Sequence, residues 1–170
     1  MFRKASVLLL IAAAPAAAQT PTPTPAVFAH SVGVSLSRAF IPDEGNTFGF
    51  TVVGFYNLHL KSKGAGSEFS MQTVPVAMAD GVVVLMPKGS TVWARQSATG
   101  NWSYFKIGGW MVGAVGDGGG GAVIGAHIGT GALIKAGAKT FVRLEIEPHF
   151  AIVAPTHPVL LFTIGISSLK

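Results

Sequence analysis

From Val142 to Ile152 the even positions are all apolar or proline: Val142, Leu144, Ile146, Pro148, Phe150 and Ile152. The odd positions read Arg143, Glu145, Glu147, His149 and Ala151. Successive side chains of a β-strand leave opposite faces, so this period of two predicts a strand with one oily and one charged face. After Ala154-Pro155-Thr156-His157 the same phase resumes at Leu160, Phe162, Ile164 and Ile166, with Thr163, Gly165 and Ser167 opposite. The two stretches together predict a C-terminal hairpin.

Similar patterning runs back through the chain. Val27 to Ser37 alternates Phe28, Val32, Val34 and Leu36 against Ala29, Ser31, Gly33 and Ser35, and a loop is expected from Arg38 to Asn46 around Pro42-Asp43-Glu44-Gly45. Phe48 to Leu60 carries Phe48, Phe50, Val52, Gly54, Tyr56, Leu58 and Leu60 on one face. Third and fourth strands are expected over Ser67 to Ala79 and Val82 to Arg95, joined at Asp80-Gly81, a two-residue hairpin signal. Pro75 and Pro87 inside those spans point to bulges or earlier strand ends. A fifth strand is read from Trp102 to Val115, a flexible loop from Gly116 to Gly121, and a sixth strand from Ala122 to Lys135. On that sixth strand Gly125, Gly129 and Gly131 share a face with His127, as suits a narrow barrel in which glycines leave room for large inward neighbours. The total is eight strands.

Composition decides what surrounds them. Hydrophobic residues make up 49% of the chain and charged residues 11%, with a mean hydropathy of +0.52. That leaves too little charge to coat an ordinary soluble domain. No run of about 18 apolar residues follows the N-terminus, which excludes a membrane helix there and leaves the closed barrel as the structure that satisfies every backbone group in lipid. The expected fold is all-β: an eight-stranded antiparallel up-and-down transmembrane barrel.

The first residues read as an export leader: Met1-Phe2-Arg3-Lys4 is positive, Ser6 to Ala14 apolar, and Ala16-Ala17-Ala18 a small-residue cleavage site before Gln19. The organisation expected is a signal peptide over 1–18, an extended Thr/Pro spacer over 19–26 and the barrel over 27–170. There is no cysteine, hence no lipobox, disulfide framework or thiolate metal site. The formal charge of +5 falls to +3 without Arg3 and Lys4, and the remaining basic residues are scattered singly, so no nucleic-acid partner is expected. The Gly116–Gly121 run lacks the Gly-Lys-Ser/Thr and helix that a phosphate loop needs.

Gly125-Ala126-His127-Ile128-Gly129-Thr130-Gly131, then Arg143-Leu144-Glu145-Ile146, then Phe162-Thr163-Ile164-Gly165-Ile166 resemble in order the last strands of the small eight-stranded outer-membrane barrels of OmpA/OmpX type. The likeness covers roughly 122–168. It implies an outer-membrane monomer whose partners are outer-membrane lipid, lipopolysaccharide and the barrel-assembly machinery. Members of that family usually end on an aromatic residue; this chain reads Ser167-Ser168-Leu169-Lys170.

If the even positions of 142–152 face lipid, Arg143, Glu145, Glu147 and His149 line the interior. An eight-stranded lumen is just filled by side chains, and an isolated buried charge costs several kcal/mol, so these groups must pair. His127, Lys106 and Arg95 are the expected partners, forming a structural network that plugs the barrel. Trp102, Tyr104 and Trp110 are expected to form an interfacial aromatic girdle. No cofactor, metal site or catalytic residue is expected, since the five histidines show no HxH or HExxH spacing. Two other readings stay open. One is a lipid A-modifying hydrolase: in barrel deacylases a lipid-facing His-x-Ser-Asn supplies base and nucleophile, where this chain reads His149-Phe150-Ala151-Ile152. The other is an exported lipocalin-like binder of an apolar ligand, which would turn its oily side chains inward.

Overall fold

The computed structural model describes residues 26–40, 47–48, 51–75, 81–116, 119–152 and 158–170; the expected leader and nearly all of the spacer lie outside them. Among the described residues nine strands form one antiparallel sheet: β1 (Val27–Phe40), β2 (Thr47–Phe48), β3 (Thr51–Leu60), β4 (Gly66–Thr73), β5 (Val83–Gln96), β6 (Trp102–Gly116), β7 (Gly119–Lys135), β8 (Thr140–Ala151) and β9 (Val159–Leu169). β2 and β3 pair with β1 in one unbroken register, Ala39 opposite Phe48 and Leu36 opposite Thr51. They are therefore two parts of a single stave, and the sheet has eight.

β9 returns to pair with β1, from Ala29 opposite Leu169 to Ala39 opposite Val159, which closes the sheet into a barrel and leaves no free side edge. The stagger is legible in the pairing. Directly opposed residues lead from Ala29 to Leu58, Glu68, Ser90, Gly108, His127, His149, Val159 and back onto β1 at Ala39. One circuit thus advances ten residues, from position 29 to 39. Eight staves with that shear tilt the strands by about 40° and give a backbone cylinder of about 8 Å radius.

Both ends of the barrel are defined by its connections. The start of β1, the end of β9 and the short connections 61–65, 97–101 and 136–139 share one end, here the terminal end. β1, β4, β6 and β8 finish at the far end.

The alternation of the C-terminal hairpin is realised as its pattern predicts. Leu144, Ile146, Phe162, Ile164 and Ile166 are exposed on the outer wall, Ile164 at 59%, while Arg143 and Glu147 inside are at 0%. Phe28, Val32, Phe55, Phe69, Trp93, Phe105 and Ile128 continue the apolar wall around the barrel. On β3 the oilier face is the inner one: Val52, Tyr56, Leu58 and Leu60 are all buried.

Several boundaries differ from the sequence expectation. The strand read as ending at Ser37 continues to Phe40, and pairing resumes at Thr47, inside the expected loop or its margin. β4 stops at Thr73 instead of Ala79, because Pro75 has no N–H to extend the ladder. The Asp80-Gly81 turn is consequently part of a longer connection; Asp80 lies outside the described residues, and Gly81 takes φ +76°. Pro87 stays within β5 opposite Met71, and the ladder towards β6 lapses at Met86 and Pro87. The glycine run is largely strand, with Gly116 opposite Gly119 and only 117–118 between, since a backbone ladder needs no side chains.

Candidate functional site

The lumen is layered. At the terminal end Leu58, Leu60, Trp102, Tyr104, Leu133 and Phe141 pack into an apolar plug. A smaller apolar group, Val52, Met86 and Leu161, sits towards the far end. Between them lie Glu68, Lys88, Lys106, His127, Arg143, Glu145, Glu147 and His149, all buried.

This layering corrects the expected girdle. Trp102 and Tyr104 are inside, 1% and 3% exposed, because β6 turns its even positions inward with Lys106. Trp110 shares that parity, and its indole lies against His149, ring centroids 5.6 Å apart, with Nε1 donating to the Ala126 carbonyl at 2.9 Å. The outward aromatics near the terminal end are instead Phe28, Trp93 and Phe105.

The middle layer is a connected ion network contributed by β4 to β8. Lys106 Nζ donates to Glu68 Oε1 at 2.6 Å and Glu145 Oε1 at 3.0 Å, and stands 3.5 Å from Glu147 Oε1. Arg143 Nη2 reaches Glu68 Oε2 at 2.6 Å and Glu145 Oε2 at 2.7 Å. Its guanidinium carbon lies 4.1 Å from the centre of the Tyr56 ring and 5.8 Å from that of Tyr104, whose hydroxyl donates to Glu145 Oε2 at 2.6 Å. Lys88 Nζ holds Glu147 Oε2 at 2.6 Å. Three cations (Lys88, Lys106, Arg143) thus face three carboxylates (Glu68, Glu145, Glu147), so the buried formal charge cancels. Cancellation with direct pairing is what a low-dielectric interior demands.

Sequence reasoning placed Arg143, Glu145, Glu147, His149, His127 and Lys106 together, and the structure brings all of them into this layer. Arg95 is a correction: its odd position on β5 faces outward, away from the network. Glu68 and Lys88 were missed, although each is the one charged residue in an otherwise uncharged strand interior, which marks an inward position on a barrel whose outer wall is apolar.

Hydroxyls complete the wall on the β9–β1–β3 side. Ser31 bonds Ser167 at 2.6 Å, Ser35 bonds Thr163 at 2.7 Å, and Gln72 Nε2 donates to the Tyr56 hydroxyl at 2.7 Å. His30 lies on the outer face beside Asn57, its Nδ1 2.6 Å from Oδ1.

One group has metal-ligand composition. His127 and His149 are directly opposed across β7 and β8, and with Glu147 they offer ligand atoms all within 4.8 Å of one another. Pairing across strands, not spacing along one, assembles them. The Glu147 carboxylate is shared between Lys88 on Oε2 and His127 Nε2, His149 Nε2 and Lys106 on Oε1, at 2.6, 3.2, 3.4 and 3.5 Å, so two ammonium groups already supply its counter-charge. Ser90 Oγ lies 2.7 Å from His127 Nε2.

No protein-family model matches the chain, and a search of curated proteins gives no match. Solved structures do match. Ail, the attachment invasion locus protein of Yersinia pestis, aligns with a TM-score of 0.63 at 10% identity, over 86% of this chain and 100% of that one. Neisserial surface protein A aligns at 0.61 and 9% identity, over 83% and 96%. The N-terminal β-barrel domain of Pseudomonas aeruginosa OprF aligns at 0.59 and 11% identity, over 84% and 97%. At such identities the likeness establishes the fold, that of the small eight-stranded outer-membrane β-barrels.

Proposed function

We propose that this chain is a small outer-membrane β-barrel protein, exported with a cleaved signal peptide over 1–18 and a Thr/Pro spacer over 19–26, with a structural or surface-interaction role. The observation that carries the reading is the inversion of the barrel: paired charges fill the lumen while Phe, Leu, Ile and Val cover the outer wall. No described helix is long and apolar enough to cross a membrane. On this reading the ion network and the two apolar layers plug the lumen against diffusion, and the partners are outer-membrane lipid, lipopolysaccharide and the barrel-assembly machinery. The barrel acts as a monomer and carries out no catalysis. A deacylase would need His149 on the lipid face, and it lies in the lumen; a lipocalin-like binder would need an apolar cavity where the charged layer stands.

The test is fractionation of expressing cells, followed by gel migration of unboiled and boiled samples. Recovery in the outer membrane with heat-modifiable mobility is the expected result. Recovery in the soluble periplasmic fraction contradicts the reading.

A further inference from the structure

Apart from Arg38, whose backbone pairs with Leu160 towards the far end of β1, the charges outside the lumen are sorted by end. Lys61, Lys63, Arg95, Lys135, Lys139 and Lys170 all sit at the terminal end, in or beside its short connections. Of the seven acidic residues in the chain, Glu68, Glu145 and Glu147 are sealed in the lumen. The other four, Asp43, Glu44, Asp80 and Asp117, belong by sequence to far-end connections and lie outside the described residues. The connections of the terminal rim therefore carry basic side chains and no acidic one.

On the outer wall at this rim, β5 runs on past the start of β4 and leaves a groove of about 500 Å³ beside the 61–65 connection. Trp93 and Phe105, directly opposed across β5 and β6 with ring centroids 6.1 Å apart, form its apolar floor, and both are nearly half exposed. Two residues further towards the rim, Arg95 and Ser103 are opposed in the same way, and Ser62 and Gly64 line the groove from the turn that also carries Lys61 and Lys63. An apolar floor continuous with the lipid-facing wall, capped at the interface by a guanidinium and a hydroxyl, matches a molecule with acyl chains at one end and a phosphate at the other.

We infer that the Trp93–Phe105–Arg95 groove is a binding site for an anionic glycerophospholipid, its phosphate held by Arg95 and its acyl chains laid over Trp93 and Phe105. The inference rests on the outer-membrane reading above. In such barrels short turns face the periplasm, which puts this rim at the phospholipid leaflet. The surrounding lysines raise the local concentration of anionic headgroups, and Arg95 supplies the planar donor pair that fits a phosphate.

The experiment uses the full mature barrel, first checked for heat-modifiable migration, then presented in neutral detergent with equal amounts of phosphatidylglycerol and phosphatidylcholine of the same acyl chains. Retained lipid is read by native mass spectrometry. Phosphatidylglycerol is expected to be retained about tenfold over phosphatidylcholine, as attraction by several basic residues and a bidentate contact requires. Arg95→Gln should abolish most of that preference, and Lys63→Gln part of it. Lys139→Gln, which removes the same charge from a different turn, should leave it nearly intact. Equal retention of the two lipids by the folded barrel overturns the site. An equal loss in Arg95→Gln and Lys139→Gln also overturns it, assigning the effect to diffuse rim charge; so does displacement of the lipid by millimolar inorganic phosphate, which would make the free anion the ligand. A chain that shows no heat-modifiable form and no membrane recovery fails the barrel reading instead, so the two failures are distinguishable.

Discussion

Gly129 stands directly opposite Lys106 across β6 and β7, and a Cβ added at 129 would lie 3.0 Å from Lys106 Cε and 3.4 Å from Glu147 Cγ. The missing side chain is the gap through which Lys106 crosses β7 to reach the carboxylates of β8. Gly131 opposite Tyr104 and Gly125 opposite Trp110 repeat the arrangement, each glycine seating a large inward side chain.

Gly131→Ala should therefore destabilise the barrel by about 1–3 kcal/mol, since its Cβ would overlap the Tyr104 ring and crowd the Leu144 carbonyl of the backbone. Gly129→Ala should cost less, because only side-chain atoms of Lys106 and Glu147 need to shift. Urea midpoints of the two variants refolded in the same lipid check the order.

Breaking the ion network one partner at a time should be costly. Glu147→Gln leaves Lys88 without its 2.6 Å partner and should destabilise by about 3–5 kcal/mol. Replacing both, Lys88→Met with Glu147→Leu, removes the uncompensated charge and should recover a large part of that loss. A double-mutant cycle in urea over Lys88→Met, Glu147→Leu and the two combined measures the coupling; additive losses would show that the pair is not the unit.

The two faces of β8 should respond oppositely to charge. Leu144→Arg puts a guanidinium on the outer wall and should impair insertion by about 2–4 kcal/mol if the position lies near mid-membrane. Glu145→Gln should leave insertion intact and perturb the interior, where Lys106 and Arg143 each lose a partner. Equal tolerance of both would contradict the assignment of faces.

How much of this could be read from the sequence depended on whether a strand declares its inner face. β8 declares it four times, with Arg143, Glu145, Glu147 and His149 at one parity, and it was legible throughout. β6 declares it once, at Lys106, and that single charge fixes the even positions as inward. Trp102 and Tyr104 share its parity and should have followed it inside, but aromatics near a strand end look alike whether they belong to a girdle or a plug. β3 carries no charge in its interior, and its oilier face is the inner one because the terminal-end plug is apolar. The strand through Gly119 to Gly121 was illegible for a different reason: glycines carry no pattern, and the ladder that holds them is made by backbone alone.

Trp102 and Trp93 should separate in a quenching experiment. Bromine on mid-chain lipid carbons should quench Trp93, which is 45% exposed on the outer wall, and spare Trp102 in the plug. Trp102→Ala should destabilise by about 3–5 kcal/mol as a large core truncation. Strong lipid quenching of Trp102, read in a variant lacking the other two tryptophans, would return it to the girdle.

The most direct test of the central arrangement, charged lumen and lipid-facing wall, uses the absence of cysteine from the chain. Single cysteines placed in turn from position 142 to 150 on β8 and spin-labelled in lipid vesicles report contact with lipid-dissolved oxygen. Accessibility should alternate with a period of two, high at 144 and 146 and low at 143, 145 and 147. A flat profile, or one with the odd positions in contact with lipid, would contradict the account.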